Sequence, residues 1–246
     1  QRVGGEPLKE FETVEHHKPM LSLSNTYSKE ELADFDRRVR ELLEERSYKY
    51  VCELKYDGVA VSLRYKEGKL DAAVTRGDGY RGDNITQNVK TIRSVPLAVN
   101  PVSVNGAELK NFEVRGEIYM NISEFLRINR EKEELGEKTY ANPRNLTAGT
   151  LKLLDSSRTA NRKLEMVTYW LDTDEITLTS HYENIQVLKK LGFPSGKALR
   201  ICSSLDEVLD FINEWQGKRE NLEFQIDGTV IKVDNLRQQD ELGTVA

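Results

Sequence analysis

A lysine with a carboxylate two residues away on either side is the most chemically suggestive pattern in the sequence: Glu53, Lys55 and Asp57, followed by Gly58. In a β-strand, successive side chains point to opposite faces, so these three charged groups would share one face that leads into a glycine turn. A lysine amine attacks an electrophile only when it is neutral. Because a free lysine has a pKa of about 10.4, that chemistry needs burial or neighbouring cations. Taken alone, the pattern also fits a solvated strand face held by salt bridges.

The chain around this lysine is predicted to mix strands and helices. Apolar runs bounded by turn residues predict five stretches of β structure. The first, at 48–65, is broken near 57–58. The others are at 70–75, 112–119, 164–171 and 224–233, and the last is either a strand pair or a kinked strand. Apolar residues at helical spacing predict helices at 28–43, 83–91, 121–136, 185–191 and 204–215, with N-caps at Ser28, Asn121 and Ser204. The absence of strict β-α-β alternation favours an α+β fold with largely antiparallel sheets.

Two stretches are predicted to lie outside regular structure. Residues 1–27 have an extended, loop-rich pattern, and residues 137–165 are rich in small polar residues and predicted to be irregular. From residue 141 onward the second stretch carries more Lys and Arg than Asp and Glu, which fits either a track for DNA phosphates or a solvated loop. His181 is expected on the surface or at the start of a helix.

Six short motifs occur in a fixed order along the chain. They are Met20-Leu21-Ser22-Leu23-Ser24-Asn25, Cys52-Glu53-Leu54-Lys55-Tyr56-Asp57-Gly58, Arg76-Gly77-Asp78-Gly79, Glu113-Val114-Arg115-Gly116-Glu117, Ala141-Asn142-Pro143-Arg144-Asn145 and Asp227-Gly228-Thr229-Val230-Ile231-Lys232. The Lys-x-Asp-Gly element resembles the nucleophile motif of the covalent nucleotidyltransferases: DNA ligases, RNA ligases and mRNA capping enzymes. The complete set resembles the adenylation domain of bacterial NAD-dependent DNA ligases. Six matches in the same order, over nearly the whole chain, are hard to attribute to chance.

The resemblance implies a reaction for Lys55. The lysine would attack the α-phosphate of NAD, keep AMP as a lysyl-AMP phosphoramidate and release nicotinamide mononucleotide (NMN). The AMP would then pass to the 5′-phosphate of a nick in double-stranded DNA before sealing, in DNA replication and repair. The implied fold is one nucleotidyltransferase domain over residues 1–246, with two antiparallel sheets flanked by helices and a nucleotide cleft between them.

The resemblance also implies contacts between seven residues and the nucleotide. The adenine would be bound by Glu53 and by the main chain at Ser22 and Leu23, with Tyr169 stacked on its ring. Glu117 would bind the ribose hydroxyls, Arg76 the ribose or phosphate side, and Lys232 the α-phosphate. The cationic side chains of Arg76 and Lys232 would favour the neutral form of the attacking amine and balance phosphate charge. Mg²⁺ is expected to share that task. No protein ligand for the metal is predicted, although Asp57 and Asp227 would hold the local turns or assist it.

Composition limits the remaining possibilities. The 246 residues are 38% hydrophobic and 31% charged, which suits a soluble globular protein, and the net charge of −5 argues against a generally basic nucleic-acid binder without excluding a local DNA-binding patch. Cys52 and Cys202 are the only cysteines, so no structural zinc site of four ligands is expected. The sequence has neither a signal peptide nor an apolar run of the roughly 20 residues that a membrane helix needs. A cytoplasmic monomer that does not bind membranes is therefore predicted.

Two other functions are considered. An ATP-dependent DNA or RNA ligase, or a capping guanylyltransferase, would share the Lys-x-Asp-Gly motif, but the motifs at 20–25, 76–79 and 141–145 argue against these enzymes. A non-catalytic nucleotide-binding module would be expected to have lost a key lysine or glutamate, whereas Lys55, Glu117 and Lys232 are all present.

The resembled ligases are longer than this chain. Their N-terminal helical NMN-binding subdomain and their C-terminal oligonucleotide-binding fold, zinc finger, helix-hairpin-helix and BRCT domains are expected to lie outside residues 1–246, and any Zn²⁺ would belong to the zinc finger. The polypeptide by itself is therefore expected to bind AMP, to self-adenylate weakly or not at all from NAD, and not to seal nicks.

Overall fold

The structure, a computed structural model, describes residues 8–104 and 106–243. Its strands are β1 Thr13–Glu15, β2 Tyr50–Tyr56, β3 Val59–Lys66, β4 Lys69–Thr75, β5 Arg81–Asp83, β6 Val102–Val104, β7 Ala107–Leu109, β8 Phe112–Met120, β9 Leu164–Asp172, β10 Leu199–Cys202 and β11 Ile226–Val233. Its helices are α1 Lys29–Leu42, α2 Thr86–Lys90, α3 Ile122–Glu134, α4 Pro143–Leu151, α5 Ser156–Ala160, α6 His181–Lys190, α7 Leu205–Lys218 and α8 Leu236–Leu242, with a 3₁₀ turn at Arg219–Asn221. Within these ranges, no helix combines the length and the apolar character needed to cross a membrane.

Two antiparallel sheets form the body of the fold. One has the strand order β10-β2-β11 and the other the order β4-β3-β8-β9, while β1 pairs with β5 and β6 with β7 in two small ribbons. This architecture confirms the predicted α+β class with antiparallel sheets and helices.

Each sheet has its own hydrophobic core. In the three-stranded sheet, Tyr50 and Cys52 pack with α1 and α7, from which Val39 and Phe211 are fully or almost fully buried. In the four-stranded sheet, a larger core packs against α2, α4 and α6. Because side chains alternate along a strand, covering one face with helices leaves the polar residues of β2 and β8 on the opposite face.

The connection between the two sheets is the short turn at residues 57–58. Consecutive strands β2 and β3 belong to different sheets, so the chain must change sheets within this turn. A Cβ atom on Gly58 would lie 2.2 Å from the carbonyl oxygen of Ile118, which is closer than real Cβ contacts come, and 3.1 Å from Cγ of Glu117. Glycine is therefore required by the close approach of this turn to β8.

The prediction that residues 137–165 are irregular is wrong for the central part of this stretch, which forms α4 and α5. Asn142 caps α4 by accepting a hydrogen bond from the amide of Asn145. Thr147 and Thr150 are fully buried in this helix, and their hydroxyls donate to carbonyls one turn earlier. The small polar residues that look loop-like in the sequence satisfy their own hydrogen bonds inside a helix.

Other predicted elements are largely confirmed. Ser28 and Ser204 accept hydrogen bonds at the starts of α1 and α7, whereas Asn121 occupies the N-cap position of α3 without a side-chain hydrogen bond. The predicted helix at 83–91 is shorter, because residues 81–83 form β5. Of the alternatives for 224–233 the kinked strand is correct, with a register shift in β11. The short strands β1, β6, β7 and β10 and the helix α8 are not predicted, and residues 1–7 of the predicted extended stretch lie outside the described residues.

Candidate active site

The cleft between the two sheets contains a cavity of about 1150 Å³. All of the residues for which nucleotide chemistry is predicted contribute to its lining: Ser22, Leu23, Glu53, Lys55, Arg76, Glu117, Tyr169 and Lys232. They come from the opening segment and from both sheets, so the fold brings together side chains that are far apart in the sequence.

The first wall of the cavity is formed by β2 and β11. Val230 lies opposite Glu53 and Lys232 lies opposite Val51 in the antiparallel register, which puts Glu53, Lys55 and Lys232 on one face. This confirms that the Glu53 and Lys55 side chains share a face. Lys55 Nζ lies 3.0 Å from Asp227 Oδ2, and 38% of the lysine side chain is exposed. The amine thus faces the cavity as one half of an accessible ion pair.

Glu53 has two partners at a single oxygen. His181 Nε2 lies 2.8 Å from Glu53 Oε2, and Lys232 Nζ lies 3.3 Å from the same atom. Burial raises the pKa of Glu53, but the charge of Lys232 and the hydrogen bond from His181 outweigh burial and lower this pKa from 4.5 to about 2. Glu53 is therefore a carboxylate at any pH at which the protein works.

His181 is the main residue that the sequence prediction misjudged. Of the two predicted positions, the start of a helix is correct, because His181 is the first residue of α6. The surface position is wrong, because the residue is only 2% exposed. Asp234, at the end of β11, anchors this helix end by accepting hydrogen bonds from the Ser180 hydroxyl and the Tyr182 amide. The side chain of His181 is thereby directed at Glu53, a partner 128 residues away that local sequence could not indicate.

The second wall carries Glu117 on β8, opposite Ala60 of β3 and Val167 of β9. Burial raises the pKa of Glu117 to about 7, against the opposing charges of Arg144 and Lys55. Among residues 8–104 and 106–243, no cation lies within 4 Å of its carboxylate. Glu117 is thus a largely buried acid whose charged form accepts a hydrogen bond from the Gly58 amide but has no ion-pair partner among the described residues.

Tyr169 projects into the cavity from an irregularity in β9. Gly116 pairs with Thr168 and Arg115 pairs with Trp170, so Tyr169 is the extra residue of a β-bulge. Lys232 Nζ lies 5.4 Å from the centroid of the Tyr169 ring, a distance compatible with a cation–π contact between the two walls. The ring offers a flat apolar surface beside the charged groups.

The opening segment is held against the cavity by Arg115, a residue to which no role was assigned from the sequence. Its guanidinium donates hydrogen bonds to the carbonyl oxygens of Lys18 at 2.6 Å and Pro19 at 2.9 Å. Its Nε donates to Glu113, and the guanidinium lies 4.0 Å from the ring centroid of Trp170. Because Arg115 is buried, these bonds fix the chain just before the segment that supplies Ser22 and Leu23.

Cationic groups border the open side of the cavity. Arg76 is exposed and its Nη1 donates to Ser22 Oγ at 3.3 Å, which links the opening segment to the turn after β4. Arg144, at the start of α4, lies 3.4 Å from Asp57 Oδ1. Arg144 belongs to the motif at 141–145 and to the basic stretch, but no individual role was predicted for it; its contact at the cavity follows from the formation of α4.

A divalent cation would find few protein ligands here. The described part of the chain has no cluster of three or more His, Cys, Asp or Glu side chains suited to a metal ion. Asp57 and Asp227 flank Lys55 and line the cavity. Mg²⁺ usually binds one or two carboxylates together with substrate phosphates and water, so the residues present fit Mg²⁺ held mainly by a bound phosphate.

Comparison with protein families identifies a match over nearly the full length. The family model of the NAD-dependent DNA ligase adenylation domain matches residues 8–246.

Curated proteins are similar to the whole chain. A DNA ligase from Bacillus cytotoxicus is 48% identical over 246 residues, and one from Bacillus thuringiensis is 46% identical over the same length. The chain spans 36% of the length of each of these proteins.

Among solved structures, the ATP-dependent DNA ligase from bacteriophage T7 in complex with ATP is 13% identical, with 88% of this chain and 64% of that chain covered. Its TM-score of 0.39 is too low to support an argument about function.

Proposed function

Because the chain belongs to the NAD-dependent DNA ligase adenylation domain family, we propose that Lys55 is the nucleophile that takes AMP from NAD. The neutral amine attacks the α-phosphorus of NAD, a nitrogen–phosphorus bond forms, and the bond from this phosphorus to the bridging oxygen breaks. NMN leaves with that oxygen, the amine nitrogen loses one proton to solvent, and AMP stays on Lys55 as a phosphoramidate. The observation that carries the proposal is the exposure of the Lys55 amine in a cavity that Glu53, Glu117 and Lys232 also line.

The charged groups of the two walls suit the parts of the nucleotide. We assign Glu53 to the adenine together with the main chain of Ser22 and Leu23, and Tyr169 to the adenine ring. Glu117 suits the ribose hydroxyls, because a buried carboxyl without an ion-pair partner gains hydrogen bonds from them. Lys232 and Arg76 offset the negative charge on the α-phosphate during displacement of NMN.

Mg²⁺ would supply further charge neutralisation at the phosphates, with Asp57 and Asp227 as the nearest candidate carboxylates. Two observations support a role for these aspartates near the reacting atoms. Asp227 lies beside the Lys55 amine, and Asp57 lies beside Arg144.

The reaction of the whole protein goes further than the chain itself. The chain spans 36% of the length of its curated relatives. We therefore propose transfer of AMP to a nicked duplex DNA, and sealing of that nick, only for the complete ligase. We take residues 1–246 as its adenylation domain and expect a cytoplasmic monomer.

Donor labelling tests the proposal. A polypeptide of the length of the relatives, containing this chain, is incubated with NAD, ATP or GTP, each labelled in the α-phosphate, and then denatured. Label retained from NAD alone, and lost in Lys55→Ala, is the expected result. Lys66→Ala is the matched control, because Lys66 lies at the exposed end of β3 and pairs with Asp71, outside the cavity. Label from ATP or GTP, or label that survives Lys55→Ala, contradicts the proposal.

A further inference from the structure

The two carboxylate oxygens of Glu53 have different surroundings. Both the His181 ring and the Lys232 ammonium bond to Oε2. From the residues that the structure describes, no hydrogen bond reaches Oε1, and Glu53 lines the cavity. The carboxylate thus has one oxygen held by the protein and one oxygen available as an acceptor.

The two donors to Oε2 differ in what else they can do. Lys232 is 18% exposed, lies over the Tyr169 ring and is assigned to the α-phosphate. His181 is 2% exposed, its helix end is tied to Asp234, and its ring bonds to Glu53. The charged groups that face His181 are Glu53, Lys232 and Asp234.

The imidazole can hold Glu53 without carrying a charge. Burial and the nearby Lys232 lower the pKa of His181, so at neutral pH the ring is neutral and its Nε2–H donates to the carboxylate. A neutral donor leaves the negative charge of Glu53 in place. The His181 hydrogen bond of 2.8 Å does not depend on Lys232, so Glu53 would keep one donor if Lys232 turned toward a phosphate.

We propose that His181 is a positioning residue that holds the Glu53 carboxylate with Oε1 toward the cavity and thereby sets the selectivity of the site for a 6-amino purine. This inference rests on the proposed nucleotide site. The amino group of adenine can donate to Oε1, whereas hypoxanthine has a carbonyl oxygen at the same ring position. Two acceptors facing each other in a buried site repel, so IMP is disfavoured against AMP.

Substitutions at His181 separate the hydrogen bond from the volume of the ring. His181→Gln keeps an N–H donor on a side chain long enough to reach Oε2, and His181→Leu removes the donor at similar volume. His181→Asn keeps polarity but is too short to reach, which covers the case in which the leucine variant does not fold. Ser204→Ala is the matched control, because it removes the equivalent N-cap bond of α7 without touching Glu53, His181 or the cavity.

The readout is the affinity of the chain for AMP and for IMP, measured by calorimetry. The wild-type chain is expected to prefer AMP. His181→Leu and His181→Asn are expected to reduce the AMP-to-IMP ratio about tenfold, because a hydrogen bond to a charged group is lost, and His181→Gln to retain it within about threefold. Ser204→Ala is expected to lower the melting temperature, because a helix N-cap is lost, but to keep the ratio.

Several results would overturn the inference: a wild-type chain that does not distinguish AMP from IMP, an unchanged ratio in both donor-free variants, or an equal loss in Ser204→Ala. The labelling of Lys55 distinguishes this failure from failure of the proposed function. Labelled wild type with an unchanged ratio in the variants refutes the role of His181 alone. Absent labelling with the expected ratios refutes the transfer reaction alone.

Discussion

On the wall formed by β2 and β11, Glu53 has two partners within 3.3 Å, whereas on the wall formed by β8, Glu117 has no ion pair in the described part of the chain. Both carboxylates are largely buried, and burial by itself raises the pKa of each. The partners decide the outcome, with a pKa of about 2 for Glu53 and about 7 for Glu117. The negative charge of Glu53 is thus balanced within the protein, whereas the described residues provide no ion-pair partner for Glu117.

The difference follows from how each wall is built. Glu53 and Lys232 lie on adjacent strands whose register makes them diagonal neighbours, and α6 adds His181 from the end of the same sheet. Glu117 has Ala60 and Val167 beside it, neither of which can pair with a charge. A preorganised wall can orient the base, and an unpaired acid can gain its partners from the sugar.

The largest expected effect comes from breaking the junction of the walls. Gly58→Ala puts a Cβ atom 2.2 Å from the Ile118 carbonyl oxygen, so β2 or β8 must shift. We expect a loss of about 3 kcal/mol or more in the free energy of unfolding, measured with urea, together with loss of AMP binding. Gly217→Ala is the control, because no atom lies within 4 Å of the new Cβ in α7, and it should be neutral or stabilising. Equal stability of the two variants would refute the steric argument.

Removing the charge on the first wall should cost somewhat less. Glu53→Gln loses the hydrogen bond from His181 to a charged acceptor and the charge interaction with Lys232, and we expect about 2–3 kcal/mol of destabilisation at pH 7. Because the folded-state pKa is lowered from 4.5 to about 2, the stabilisation by Glu53 is present above pH 4.5 and disappears as the pH falls toward 2. Urea unfolding of both proteins across this range should therefore converge at acidic pH. A constant difference would contradict the assignment.

The corresponding change on the second wall should have the opposite sign. The pKa of Glu117 is raised from 4.5 to about 7, so its ionisation destabilises the folded state as the pH rises through this window. Glu117→Gln should leave stability unchanged below pH 4.5 and increase it by about 2 kcal/mol above pH 7. Thermal unfolding at pH 4 and pH 8 checks this, and destabilisation at pH 8 would show that Glu117 is already paired.

The smallest effect is expected for the exposed ion pair. Asp227 is 64% exposed at its side chain, so its bond to Lys55 is screened by water. Asp227→Asn should change the free energy of unfolding by less than about 1 kcal/mol. A larger loss in urea unfolding would indicate that Asp227 has a structural role beyond this pair.

The sequence was sufficient to select the residues that meet in the cavity and most of the strands that present them. Lys55, Glu53, Glu117 and Lys232 occur in short motifs, and alternation along β2 correctly predicts that Glu53 and Lys55 share a face. These features are local, so they can be recognised from neighbouring residues.

The parts that could not be predicted depend on long-range contacts. His181 is buried because Asp234 anchors its helix, and Arg115 binds carbonyl oxygens almost a hundred residues earlier in the chain. Tyr169 enters the cavity through a bulge that exists only once β8 and β9 have paired. Threonines and glycine in α4 look like loop residues until the helix packs against β8.

A crystal structure of this chain with AMP tests most directly whether the two walls serve one nucleotide. We predict that the adenine amino group lies at Glu53 Oε1 with His181 still bonded to Oε2, the ribose hydroxyls lie at Glu117, and the phosphate lies between Lys55 and Lys232. AMP bound on another surface, or bound in the cavity with its phosphate remote from Lys55, would contradict it.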